Sequence, residues 1–424
     1  MGSTAMNVEE CAQRYLLLGL RVGRLRAGLV DAYLGPEGPR RRVAAEPVRT
    51  PAELAAEAAE LRRALPRPNL GERRAEDRAR RDFLDKQLVA LECGLRGLAG
   101  EPIGFRERLR RYFDTEVLPG DRDRYRAAHA ELAELLPGSG PLGARMMAHR
   151  ERERVPAGLI GPAVQVLSSA LRARTSAVVA LPGDEEVRYV IATDRPWSGF
   201  NEHLGGHRSQ VTVNTELVYR AGQLAQLVAH EAYPGHHAER CRARAVGAPE
   251  RAVQLLNTPA SLLSEGFADA ALLAAVGPDW GSWLESVLAG LGLRLDGEPI
   301  QRVERVLEAL RPVRQDAALM LHERGADESE VRDYLCRWLL ITPPRAGQLV
   351  RFLAHPVWRS YTTCYVAGYS LAQRWLAASA PDEPLLARHR RALDEPWTPS
   401  ALRAALDRAL PSQAGERRRD YELR

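Results

Sequence analysis

Apolar residues recur at helical spacing along most of the 424-residue chain, with proline and glycine marking the joints. From about Val8 to Tyr33, the positions Tyr15, Leu18, Leu20, Val22, Leu25 and Val30 predict a helix that stops before Pro36, Gly38 and Pro39. Pro51 opens a second helix, which Pro66 and Pro68 break, and a third is predicted from about Arg74 to Leu98. Arg106 to Phe113, Asp121 to Leu136 and Pro156 to Ala180 continue the pattern. Leu217, Leu224, Leu227 and Val228 predict a helix over Leu217 to Ala229, and Ser261 to Leu272 reads as a buried one. Trp280 to Leu293, Pro299 to Arg324, Ser329 to Leu340 and a late helix beginning within His355 to Tyr369 follow. After Pro182-Gly183-Asp184 the period changes: Glu185 to Thr193 and Ser209 to Thr215 alternate and are β-rich. This is the one clear β region, and it runs straight into the 217–229 helix. The pattern therefore predicts a mainly α fold, a large helical body with a small β hairpin or sheet.

Composition narrows the class. At 45% hydrophobic residues the chain can bury a large core. Lys86 is the only lysine, so 59 of the 60 basic residues are arginine. The net charge of +5 is small for this length, and acids interleave with bases, as in Arg150-Glu151-Arg152-Glu153-Arg154, a solvated helix face. No nucleic-acid partner is expected. The five cysteines, Cys11, Cys93, Cys241, Cys336 and Cys364, are widely spaced, as expected of reduced thiols in a cytoplasmic protein. With no signal peptide and no run of about 18 apolar residues, a soluble chain without a membrane partner is expected. The oligomeric state is left open. The tail, 413–424, is charged and expected to fray.

The chemistry concentrates in His230-Glu231-Ala232-Tyr233-Pro234-Gly235-His236-His237. A polar cluster at the end of a buried helix is costly unless its groups are paired or bind a metal. In the zinc-protease pattern H-E-x-x-H, two histidines one turn apart chelate Zn²⁺ and the glutamate is general base. Here the second histidine position is Pro234. Six residues separate His230 from His236, which on an unbroken helix means about 240° of net rotation and about 9 Å of rise. Pro234 breaks the ladder and Gly235 permits unusual backbone angles. A two-residue bulge there would return His236, or less easily His237, to His230. Downstream, Glu265 and Asp269 lie i, i+4 on one helix face. Glu265 can complete the ligand set, and Asp269 can accept the spare N–H of a ligand histidine.

H-E-x-x-P-G-H-H followed by S-E-G-x-A resembles the signature of the DUF885 family, bacterial proteins regarded as zinc metallopeptidases related in plan to the glutamate-liganded zincins. The departures are Glu239 in place of Gln and Phe267 in place of Trp. The resemblance implies His230, His236 and Glu265 as Zn²⁺ ligands and Glu231 as base; Asp269 and His237 are expected behind the ligands. The change of pattern at Pro182-Gly183-Asp184 divides the chain into an N-terminal helical region, 1–180, and a metal-binding catalytic region, 181–424, expected in one continuous domain with a central cleft. In zincins of this plan, a strand just before the metal helix pairs with the extended substrate. This makes Asn201, His207 and Arg208 candidates for the cleft rim. Such enzymes also bring a late-helix Tyr or His to the oxyanion. Tyr361, Tyr365 and Tyr369 recur at the spacing of one turn, with Tyr365 favoured, and Arg359 could meet a substrate carboxylate.

Two imidazoles and a carboxylate leave Zn²⁺ an open position for a water whose pKa falls to about 7. Glu231 would take its proton and pass it to a leaving amine. The expected activity is a zinc-dependent metallohydrolase, a peptidase acting on short peptides. The alternatives are a hydrolase of non-peptide amides or a tailoring enzyme using the same metal, and, more distantly, a non-catalytic metal-binding protein.

Overall fold

A computed structural model describes residues 6–66, 75–193, 199–214 and 218–408. The predicted tail at 413–424, and Leu217 and Thr215 at the ends of two predicted elements, lie outside these. The fold is mainly α with two small sheets. The chain packs as two compact units, each assembled from separated segments: 1–116, 243–267 and 367–424 in one, 117–242 and 268–366 in the other. Neither follows the predicted division at residue 180.

In the first unit, the helices Val8–Gly23 and Pro51–Ala64 each begin with a capping box, Asn7 with Glu10 and Thr50 with Glu53. The long helix is Ala75–Leu98. Its Leu84, Leu88, Leu91 and Leu95 pack with Tyr15, Leu18, Leu54 and Leu61 in one core. The predicted helix from Val8 to Tyr33 stops at Gly23 instead. Gly28 takes a positive φ of 85°, and Val30–Tyr33 forms strand β1. A Cβ on Gly23 would stand 2.7 Å from Val30 Cγ2, so the chain folds tightly back at that point. The pairing partner explains the miss: β1 is a strand only because Val253–Leu255, more than 200 residues on, lies antiparallel to it.

In the second unit, Glu186–Ala192 (β2), Gly199–Gly205 (β3) and Arg208–Asn214 (β4) form a three-stranded sheet in the order β2-β4-β3. The two predicted strands, β2 and β4, run parallel instead of forming a hairpin, and the hairpin is made by β4 with β3, a segment not predicted as a strand. Behind the sheet, Ile160, Val164, Leu167 and Leu171 of helix Ala157–Ser176 pack with Val211 and Val213 of β4. Leu224, Ala225 and Val228 of helix Ala221–Glu231 close the same core. Burying such side chains contributes about 1.5–3 kcal/mol each for the larger ones, which fixes the helix that carries His230. The predicted segment Pro299 to Arg324 divides into Gly297–Glu308 and Pro312–Glu323, because Pro312 occupies the first turn of a new helix. The predicted late helix is absent before Thr362; its first regular turn is a π-helix, Cys364–Gly368, leading into helix Tyr369–Ala377. No disulfide joins the five cysteines.

Candidate metal centre

The centre starts from a break in a helix. Ala221–Glu231, the His230 helix, ends at Ala232, whose φ of −120° and ψ of −83° leave the helical region. The Tyr233–Pro234 bond is cis. Gly235 N–H donates to Ala229 O at 3.0 Å, and Ala238 N–H to Ala232 O at 3.2 Å. Each reaches back six residues instead of four, so two extra residues are looped out, and His236–Val246, the His236 helix, starts afresh. A Cβ on Gly235 would lie 1.9 Å from His230 O and 2.5 Å from Ala229 O. No other residue fits there. The bulge brings the rings of His230 and His236 to a centroid separation of 4.7 Å, edge to face at 89°.

The third group comes from Pro259–Asp269, the Glu265 helix. Gly266 lets this helix press directly on the chain at Gly368, since a Cβ on Gly266 would stand 2.3 Å from the Gly368 carbonyl. Glu265 is buried, at 8% exposure. One ligand atom from each of His230, His236 and Glu265 lies within 4.8 Å of the other two. Two imidazoles and a carboxylate are a donor set suited to zinc and other first-row divalent ions.

The histidine ring orientations fit the same use. His230 Nδ1 lies 3.0 Å from Asp269 Oδ1, and His236 Nδ1 lies 3.3 Å from Glu239 Oε2. Carboxylates at both Nδ1 atoms place the protons there and leave Nε2 for a metal. Asp269 is itself held: Arg311 Nη1 donates to its other oxygen at 2.6 Å, and Gln226 Nε2 donates to its backbone carbonyl. Burial raises the Asp269 pKa, but the Arg311 guanidinium and the His230 hydrogen bond outweigh it and hold the carboxyl below its usual range.

His237 is engaged elsewhere. It is 1% exposed, with Nδ1 2.8 Å from Ser209 Oγ and Nε2 2.9 Å from Glu185 Oε2. Both ring nitrogens are thus occupied, which distinguishes it from His236. Tyr233 and Arg172 also donate to Glu185. Burial works against its charge, yet the hydrogen bonds from His237, Tyr233 and Arg172 bring its pKa down to about 2. This buried brace ties the start of the His236 helix to β4 and to the residue preceding β2.

Glu231 is half-buried and directly follows His230. Its backbone carbonyl accepts from Asn201 Nδ2, while Asn201 Oδ1 accepts from Arg240. Asn201, 4% exposed, therefore ties β3 to the end of the His230 helix. The strand just before that helix is β4, and both its edges are taken by β2 and β3. A substrate strand cannot add to it, which corrects the expected pairing. His207 meets Asp184 at 2.9 Å, and Arg208 is exposed where β4 begins. Arg359 is half-buried in the turn after His355. Tyr361 is buried and edge-on to Tyr365, with ring centroids 5.8 Å apart. The Tyr369 hydroxyl accepts from Gln373 at 2.7 Å.

Sequence reasoning missed Arg311 and Glu185, the partners of Asp269 and His237. Each pairing spans about 40 residues or more, and nothing local marks it.

No family model and no curated protein matches the chain. Among solved structures it is similar to a "putative lipoprotein from Colwellia psychrerythraea", with a TM-score of 0.52 at 16% identity over 86% of this chain. The chain spans 66% of that protein's length. A "putative lipoprotein of unknown function from Shewanella oneidensis" is matched at a TM-score of 0.42 and 13% identity, covering 88% of this chain and 76% of that one. At such identities the Colwellia likeness is one of fold. It adds a solved relative in shape to a site read from this chain's own residues.

Proposed function

We propose that the chain is a metal-dependent hydrolase of short peptides, in line with its resemblance to the DUF885 proteins. The observation that carries this reading is the convergence of His230, His236 and Glu265 within 4.8 Å, with the carboxylate of Glu231 in the next position along the chain. His230 Nε2, His236 Nε2 and a Glu265 oxygen would hold the ion, and zinc, once bound, would supply a Lewis acid and lower the pKa of a coordinated water.

The remaining steps belong to the protein. Asp269 and Glu239 keep the Nδ1 protons on His230 and His236, so both rings stay in the tautomer that presents Nε2. Glu231 accepts the proton of the attacking water at a carboxylate oxygen and returns it to the nitrogen of the departing amine. Tyr365, carried on the π-helical turn, would donate to the developing oxyanion; such backbone irregularities recur at functional sites, which supports the assignment. The test is a panel of di- and tripeptides incubated with the protein before and after chelation, alongside Glu231→Gln. Hydrolysis that disappears with the chelator, returns with Zn²⁺ and is missing from the variant supports the reading. Metal content of one per chain with no turnover of any peptide sinks it.

A further inference from the structure

We infer that Arg314 binds a carboxylate of the substrate, so that the site favours peptides with a free terminal carboxylate over their neutral amides. This deepens the hydrolase reading and rests on it for the identity of the ligand.

Arg311 and Arg314 stand three residues apart at the start of helix Pro312–Glu323, hence on one face, with Arg314 N–H bonded to Arg311 O at 3.2 Å. Arg311 is committed to Asp269, which holds the ligand His230. Arg314 is half-buried, and its guanidinium has no hydrogen-bond or ion-pair acceptor among the described residues. Several buried or half-buried arginines of this chain are matched by an acid: Arg80 by Glu250, Arg220 by Glu304, Arg388 by Glu383.

The surroundings sharpen the contrast. Burial lowers the Arg314 pKa, and the charges of Arg311 and Arg345 lower it further, to about 10, against the pull of Asp269 and Tyr365. The group remains a cation at neutral pH, in a place where cations outnumber acids. A half-buried charge without a partner is costly, and an incoming carboxylate removes that cost by engaging the guanidinium fork through two parallel hydrogen bonds. The location also fits: Arg314 lies one helical turn from Arg311, whose guanidinium holds Asp269 against the ligand His230. Arg314 therefore takes the role that the sequence pattern suggests for Arg359.

The test measures binding, so it does not depend on turnover. N-acetyl-dialanine and its C-terminal amide are titrated calorimetrically into the metal-loaded full chain carrying Glu231→Gln, which keeps the peptide intact. The expected preference for the acid is about 10- to 100-fold, the worth of a charge-assisted hydrogen bond. Adding Arg314→Gln should reduce it to within about 2-fold with metal content unchanged, Arg314→Lys should restore part of it, and Arg359→Gln should leave it intact. Equal affinity for acid and amide, no measurable binding of either, or a preference that survives Arg314→Gln overturns the inference. A chain that shows the Arg314-dependent preference but hydrolyses nothing keeps this inference and loses the hydrolase reading. A peptidase indifferent to the terminal carboxylate does the reverse.

Discussion

Replacing Asp269 by asparagine is a near-isosteric change that should cripple metal binding, for a reason visible in its hydrogen bonds. Arg311 Nη1 sits 2.6 Å from one carboxylate oxygen and His230 Nδ1 3.0 Å from the other. A guanidinium only donates, so in Asp269→Asn the amide oxygen must face Arg311. The amide NH₂ then faces His230 Nδ1 and forces that atom to accept. The ring proton moves to Nε2, the nitrogen needed by the metal. Turning the amide over restores His230 but sets NH₂ against the guanidinium. The first arrangement protonates the nitrogen that the metal needs, and the second sets two donors against each other. Loss of such a supporting partner weakens metal affinity by about 10- to 100-fold, or about 1.4–2.7 kcal/mol. Competition for Zn²⁺ against a chromophoric chelator measures this directly. The reasoning also predicts a partial rescue: Arg311→Gln in the Asp269→Asn background lets the amide turn and offer its oxygen to Nδ1. An affinity within 2-fold of the parent for the single variant, or a double variant no better than the single one, refutes the tautomer argument.

Glu231→Gln is expected to retain one metal per chain and lose about 10²- to 10⁴-fold in kcat, the range for a general base; an unchanged kcat removes Glu231 from that role. His236→Ala should abolish metal binding measured by elemental analysis. His237→Ala should keep the metal but destabilise the fold by about 3–5 kcal/mol in denaturant titration, because it strips a buried partner from Glu185; the opposite pattern would exchange the two assignments. Glu185 has its folded pKa depressed to about 2, so its stabilising contribution is present above its unfolded value near 4.3 and is lost as pH falls toward 2. The acid limb of stability between about pH 4.5 and 2 should therefore flatten in Glu185→Gln, and an identical limb would dismiss the brace as a source of acid sensitivity. Gly235→Ala places a Cβ 1.9 Å from His230 O, and should cost both stability and metal binding; wild-type metal affinity in that variant would mean the bulge is not needed.

The legible parts of this protein are those whose physics is local. Helical periodicity, proline breaks and capping residues depend on neighbours within a few positions, so the mainly α class and most helix limits follow from the chain alone. The Pro234-Gly235 break was legible for the same reason: a proline without an N–H and a glycine without a Cβ signal a bulge wherever the two histidines must meet. Tertiary structure decided everything that depends on distant partners. β1 exists because Val253–Leu255 lies beside it, and β2 turns out parallel to β4 with β3 completing the hairpin. Which histidine of the Gly-His-His run faces His230 was settled by Glu185 and Ser209 claiming both nitrogens of His237. Arg311 found Asp269 across 42 residues, leaving its neighbour Arg314 without an acid among the described residues. Side-chain charges carry no address in the sequence, because an arginine's partner is whichever acid the packing of apolar faces happens to bring within about 3 Å.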